Sequence, residues 1–137
     1  MSTLRATICD IRGYDNLHIV QFDLFAQKLT MLSLELDESV RVGSTVELAI
    51  KPTQITLAKE QDSTLACSNR LIGQITQIEN GSLLSSVQVQ ISNNPNCTLE
   101  AILLKDIFVT MNCQLRDTLA LWIKESDISI ARVVQDV

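Results

Sequence analysis

The chain is poor in the residues on which most recognisable chemistries depend. It has one histidine, His18, and four cysteines, Cys9, Cys67, Cys97 and Cys113, no two of them in CxxC spacing. That inventory is too sparse for a Cys/His zinc site, so no cation site is expected. Nor does it allow a nucleophile and base to be assembled. His18 falls between Leu17 and Ile19 in a stretch that reads as a strand, and a surface position is the expectation for it. No acidic pair is marked as acid and base, and no Walker A motif occurs, which excludes ATP hydrolysis. A non-enzyme is expected. Aromatic residues make up only 4% of the chain, too few rings for a base-stacking surface, and the net charge of −5 opposes phosphate neutralisation. No nucleic-acid partner is expected. No apolar run reaches transmembrane length, so no membrane partner is expected either. Residues 1–7 lack the continuous apolar core of a signal peptide, so the expectation is a cytoplasmic protein with free, mostly buried thiols.

What is present is a globular composition, 46% apolar and 20% charged, with apolar residues recurring every second position. The alternation is clearest at Val20, Phe22 and Leu24, and again at Val87, Val89 and Ile91. It predicts five short strands in the first half, at 4–11, 20–24, 29–36, 46–50 and 55–57. Five more follow in the second half, at 71–78, 87–91, 99–103, 118–123 and 128–133. Turns are expected at Gly13, Gly43, Asn80-Gly81 and residues 93–96, and residues 105–112 are the only stretch suited to a short helix.

Residues 48–58 and 121–131 are two versions of one segment, with five identical positions and three Thr/Ser or Leu/Ile exchanges. Each copy contains an isoleucine followed by lysine: Ile50-Lys51 with Ile55 further on, and Ile123-Lys124 with Ile128 further on. Earlier positions match at an offset of 67, including Leu4/Leu71, Ile8/Ile75 and Val20/Val87, whereas the lysines are 73 apart. The chain is therefore read as all-β, with two small OB-like barrels of about five strands each. The first spans 1–59, a polar connector 60–66, and the second 67–137. Modules of that size are marginal alone and are expected to pack together or oligomerise.

The second copy carries a distinctive set of donors. Ser68-Asn69-Arg70 opens it, and Lys124-Glu125-Ser126 lies between two strands near its end. Arginine and lysine only donate, hydroxyls can donate, and unpaired N–H groups at strand ends add more. Such a set suits a fully deprotonated tetrahedral oxyanion, which offers no proton in return. On composition alone, Arg70 and Lys124 read instead as solvated strand-end charges.

The stretch from Ser68 through Arg70, Gly73, Ile75 and Ile78 to Gly81 resembles the opening of a molybdate-binding Mop (TOBE, molbindin) module. Ser85-Ser86-Val87 is similar to that family's Ser-Glu-Val, residues 99–104 to its strand ending in Ile-Thr, and 119–128 to its segment around Lys-Ala-Ser. The resemblance covers 68–131 and, through the repeat, extends weakly to 3–58. It implies OB-like modules that exchange strands, with molybdate or tungstate bound between modules or subunits of a homo-oligomer, a trimer or a dimer. Carried over by position, Ser68, Arg70 and Lys124 match the family's ligands. Glu125 follows the lysine where the backbone N–H is what binds, Ser126 is the next hydroxyl, and Ser86 is a further candidate. The first copy lacks the arginine, since Met1-Ser2-Thr3 stands opposite Ser68-Asn69-Arg70. It keeps Lys51, but Pro52 after it has no N–H to give.

The expected function is storage or buffering of the oxyanion in the cytoplasm. The degenerate first copy also resembles the C-terminal regulatory region of molybdate-importer ATPases. That makes an anion-responsive module serving a transporter or regulator the alternative. An OB-type barrel with another ligand is the third reading.

Overall fold

The computed structural model describes residues 2–60, 64–92, 94 and 96–135. Residue 1, residues 61–63 of the expected connector, and Asn93 and Pro95 of an expected turn lie outside them.

The alternating segments form ten strands in two five-stranded antiparallel sheets. In chain order they are β1 (Ser2–Tyr14), β2 (Leu17–Leu24), β3 (Gln27–Ser33), β4 (Thr45–Ile50), β5 (Ile55–Ala58), β6 (Asn69–Asn80), β7 (Leu84–Ile91), β8 (Thr98–Leu104), β9 (Thr118–Ile123) and β10 (Ile128–Gln135). One helix, α1 (Lys105–Met111), falls where the short helix was expected. The first sheet runs β10-β4-β1-β2-β3 and the second β5-β9-β6-β7-β8.

The sheets exchange strands. β10, from the end of the chain, pairs with β4 from Ile128↔Ile50 to Gln135↔Thr45, while β5 pairs with β9 from Ile55↔Ile123 to Ala58↔Ala120. Each sheet is thus completed by a strand from the other half. The alternating apolar side chains of both sheets meet in one continuous core, in which Phe22, Leu48, Ile50, Leu71, Ile75, Leu121 and Ile123 are fully enclosed.

The duplication extends to irregularities. β1 bulges between Ile8 and Asp10, and β6 bulges between Ile75 and Gln77, at the same offset of 67 as the sequence match. At each bulge the spare backbone groups bond to the loop before the fourth strand: Ile8 with Gly43 and Ser44, Ile75 with Arg116 and Asp117. Gly43 and Arg116 both adopt left-handed backbone conformations, φ 95° and 73°. Paired strands show where the second copy is longer. β2 and β7 keep the offset of 67, β3 and β8 begin 71 apart, and β4 and β9 begin 73 apart. Most of the excess therefore lies in the β7–β8 connection and the rest around α1.

Three expectations need correction. Gly13 is no turn residue: β1 runs through it, opposite His18, and the chain reverses at Asp15-Asn16, with Asp15 at φ 55°. The third strand ends at Ser33 rather than residue 36. There the Ser33 hydroxyl donates to the Glu35 carbonyl and accepts from the Glu35 N–H, a local turn that competes with the ladder. All four cysteines are free thiols, but only Cys97 is buried, since Cys9 sits at the β1 bulge and Cys67 and Cys113 lie beside element ends.

Candidate functional site

The two copies of the repeated segment are the two crossovers between sheets. β4 ends at Ile50, Lys51 is extended, Pro52–Gln54 makes one 3-10 turn, and Ile55 opens β5 in the other sheet. Lys124, the 3-10 turn Glu125–Asp127 and Ile128 repeat this with nearly the same dihedrals, the lysines having φ/ψ of −73°/134° and −65°/146°. In both turns the last N–H donates to the lysine carbonyl at 2.9 Å: Gln54 to Lys51, and Asp127 to Lys124. Proline suits the first position of such a turn, where its missing N–H has no partner to lose. Ile50, Ile55, Ile123 and Ile128 are buried, whereas both lysines are exposed. The motif thus anchors a turn at both ends in the core and holds a lysine at its mouth.

Two hollows flank the crossovers and mirror each other. One, of about 190 Å³, is lined by Ala49, Lys51, Gln54, Ser126, Asp127 and Ser129. The other, of about 250 Å³, is lined by Trp122, Lys124, Asp127, Gln54 and Thr56, and additionally by Leu65, Ala66 and Cys67. Shifting numbers by the 73-residue offset converts Ala49, Lys51 and Gln54 into Trp122, Lys124 and Asp127, and Thr56 into Ser129. Each hollow joins one copy's lysine to the other copy's hydroxyl, and both share Gln54 and Asp127. The larger one also includes Trp122, 8% exposed, whose indole Nε1 is buried without a hydrogen-bond partner.

Ser68 lies at the entrance to β6, beside the second crossover. Its backbone N–H and its hydroxyl both donate to Oε1 of Glu125, each at 2.7 Å. These two bonds, the backbone one first, hold the Glu125 carboxyl below the usual carboxylate range, and Lys124 adds a smaller pull. Arg70, exposed on β6, is opposite Trp122, which is in turn opposite Thr56 on β5. Cross-strand partners share a face, so Arg70, Trp122 and Thr56 form one row leading to the Lys124 hollow.

Of the residues singled out in the sequence, Ser68, Arg70, Lys124 and Glu125 gather at the second crossover, and Ser126 joins Lys51 in the smaller hollow. Ser86 does not join them. It pairs with Glu79 near the opposite end of β6 from Asn69, some 30 Å along the strand at roughly 3.3 Å per residue. There its hydroxyl donates to Glu100 at 2.5 Å. The sequence reading missed Trp122, Gln54, Thr56 and Asp127. Gln54 and Asp127 occupy equivalent places in the repeat, so its alignment held the signal, although nothing showed that the segments cross. Among the described residues, no cluster of His, Cys, Asp and Glu is placed to hold a metal ion, and no helix is long and apolar enough to cross a membrane.

The fold is similar to that of the cytoplasmic molybdate-binding protein ModG, in a crystal form with molybdate bound. The TM-score is 0.85, the match covers 93% of each chain, and sequence identity is 18%. At that identity the likeness speaks for the fold. No protein-family model matches the chain, and no curated protein matches its sequence.

Proposed function

We propose that this chain is a cytoplasmic binding protein for molybdate or tungstate that stores or buffers the oxyanion. The observation that carries the reading is the convergence of donors at the second crossover. Ser68 presents two donors within 2.7 Å of an anionic oxygen, with Lys124 and Arg70 alongside. The ModG-like fold supports it, because that protein binds molybdate and shares the architecture over nearly the whole chain. On this reading, residues 67–137 supply the main ligands and residues 1–59 a partial set, with Lys51 and Ser126 in the mirror hollow. The role is binding rather than catalysis: the ligand is held by charge-assisted hydrogen bonds and leaves unchanged. With a net charge of −5, capture depends on these local donors and not on long-range steering.

A homo-oligomer, trimer or dimer, belongs to the same reading. Leu83, Leu84, Leu104 and Ile107 are exposed together where β7 begins and β8 meets α1, joined there by the Leu84↔Leu104 pair and the Lys105 N–H to the Leu83 carbonyl. This apolar end also favours the second reading, a stand-alone anion-responsive module that docks on a transporter or regulator. Ser86 lies on the same strand as Leu84, so on this reading it enters a site through a subunit interface.

Calorimetry with molybdate, tungstate, sulfate and phosphate tests the function on wild type and on the Arg70→Ala/Lys124→Ala double variant. Micromolar molybdate or tungstate binding that the double variant loses is the expected result. Absence of binding to wild type overturns the function, and binding that survives the double variant overturns the ligand assignment. Light scattering with and without anion separates the storage oligomer from a module whose assembly responds to the anion.

A further inference from the structure

We infer that the side chain of Glu125 is a built-in competitor for the oxyanion: it occupies the Ser68 donor pair and must swing out before an external anion can bind there. This deepens the anion-binding reading and rests on it.

The argument begins with what Ser68 offers. Two donors of this one residue, its backbone N–H and its hydroxyl, point at one spot, and that spot holds a carboxylate oxygen at 2.7 Å from both. A carboxylate oxygen and a molybdate oxygen make the same demand on donors: both are small, anionic and acceptor-only. The donors cannot serve both at full strength.

The residue type is what makes this a device of this chain. The family resemblance asks only a backbone N–H of this position, the first of a one-turn 3-10 segment after Lys124, and a side chain too short to reach Ser68 would leave its donors open. In the mirror crossover the corresponding residue is Pro52, which carries no charge. Only the second copy therefore has both the donor pair and an internal anion to fill it. Glu125 is partly exposed, so its carboxylate can rotate into water without leaving a buried charge behind.

Two effects follow. Binding pays the cost of opening the Ser68–Glu125 contact, which reduces apparent affinity by the fraction of time the site is open. After opening, the displaced carboxylate stays within a side chain's length of the bound dianion and repels it. Together they make the site a low-affinity one, filled when anion is plentiful and emptied readily. That suits a buffer better than a scavenger.

The test is calorimetry with sodium molybdate at pH 7.5 on wild type, Glu125→Ala and Glu125→Gln, each checked for folding by its urea midpoint. The expected order of affinity is Glu125→Ala above Glu125→Gln above wild type, with alanine about tenfold tighter than wild type. Glutamine is intermediate because its amide oxygen still accepts from Ser68 without the charge. A purely structural contact would lower the urea midpoint without tightening binding. If wild type binds and the folded variants bind equally or more weakly, the competitor role is overturned while the function stands. If none of the three binds, the function itself falls and this inference with it. Should the alanine variant fail to fold, the glutamine variant decides alone by the same comparison.

Discussion

The amide of Asn69 takes the place of a strand on the edge of the first sheet. Its Nδ2 donates to the Thr30 carbonyl at 2.8 Å, and its Oδ1 accepts from the Thr30 N–H at 2.7 Å. Thr30 lies on β3, the outer strand of that sheet, while Asn69 opens β6 of the other and is fully buried. The middle residue of the Ser-x-Arg motif is therefore a clamp between sheets, flanked by the two residues assigned to the anion.

Replacing Asn69 with alanine is expected to destabilise the protein by about 2–4 kcal/mol, because a partly buried N–H and C=O both lose their partner. Aspartate is expected to do no better, since it keeps the acceptor but turns an oxygen toward the Thr30 carbonyl. Urea unfolding measures both. An aspartate variant as stable as wild type would show that the Nδ2 bond contributes nothing.

Gly73 is closed to any side chain. A Cβ there would lie 2.5 Å from Val89 Cγ1 and 2.7 Å from the Gln90 carbonyl oxygen, and the second contact is with backbone that cannot rotate away. Gly73→Ala is expected to cost about 1–3 kcal/mol, as overpacking of a filled interior does. A urea midpoint within error of wild type would contradict the close approach of β6 to β7.

Strand exchange predicts how the halves behave when made separately. Residues 1–59 lack β10 and carry an unpaired β5, and residues 67–137 carry β10 without β4. Neither half is expected to fold as a monomer, and mixing them should restore the native spectrum. The second half can close only on a second copy of itself, so any transition it shows should rise with concentration. A cooperative, concentration-independent melt of either half, followed by circular dichroism, would contradict the exchange.

The thiols should react in a set order. Burial pushes the Cys97 thiol up to about 11, so at pH 8 roughly one in a thousand is thiolate, and its sulfur is enclosed as well. Cys9 is half-exposed, with the Lys28 ammonium 3.8 Å from its sulfur. Iodoacetamide labelling at pH 8, read by mass spectrometry, is expected to modify Cys9 well before Cys97, and Cys97 should catch up only as pH approaches its raised value. Equal rates at pH 8 would count against the burial.

Much of this was legible in the residues because the strands are governed by a local rule. Alternation at Val20, Phe22 and Leu24 needs only one buried face, and that face exists wherever the strand pairs. The repeat likewise exposed the duplication, and even the bulges keep its offset. Partner choice was not legible: nothing in Ile128 or Ile55 says which sheet each enters, because both segments present the same apolar face to either. The resemblance implied that modules exchange strands, but that β5 and β10 are the ones exchanged came only from the structure. The candidate site was legible as residue types, Ser68, Arg70 and Lys124, but not as geometry. Trp122 was not singled out within the strand at 118–123, and the Glu125 side chain gave no sign that it would turn back onto Ser68, since that contact spans 57 residues.

The exchanged last strand also sets the order in which the protein can be made. β4 has β1 on one side, but its other edge stays bare until Ile128–Gln135 arrives, nearly eighty residues later. A nascent chain therefore exposes an apolar, hydrogen-bonding edge through most of its synthesis. Loop closure over that distance is slow, so folding should be late and nearly all-or-none, with the two sheets completing together.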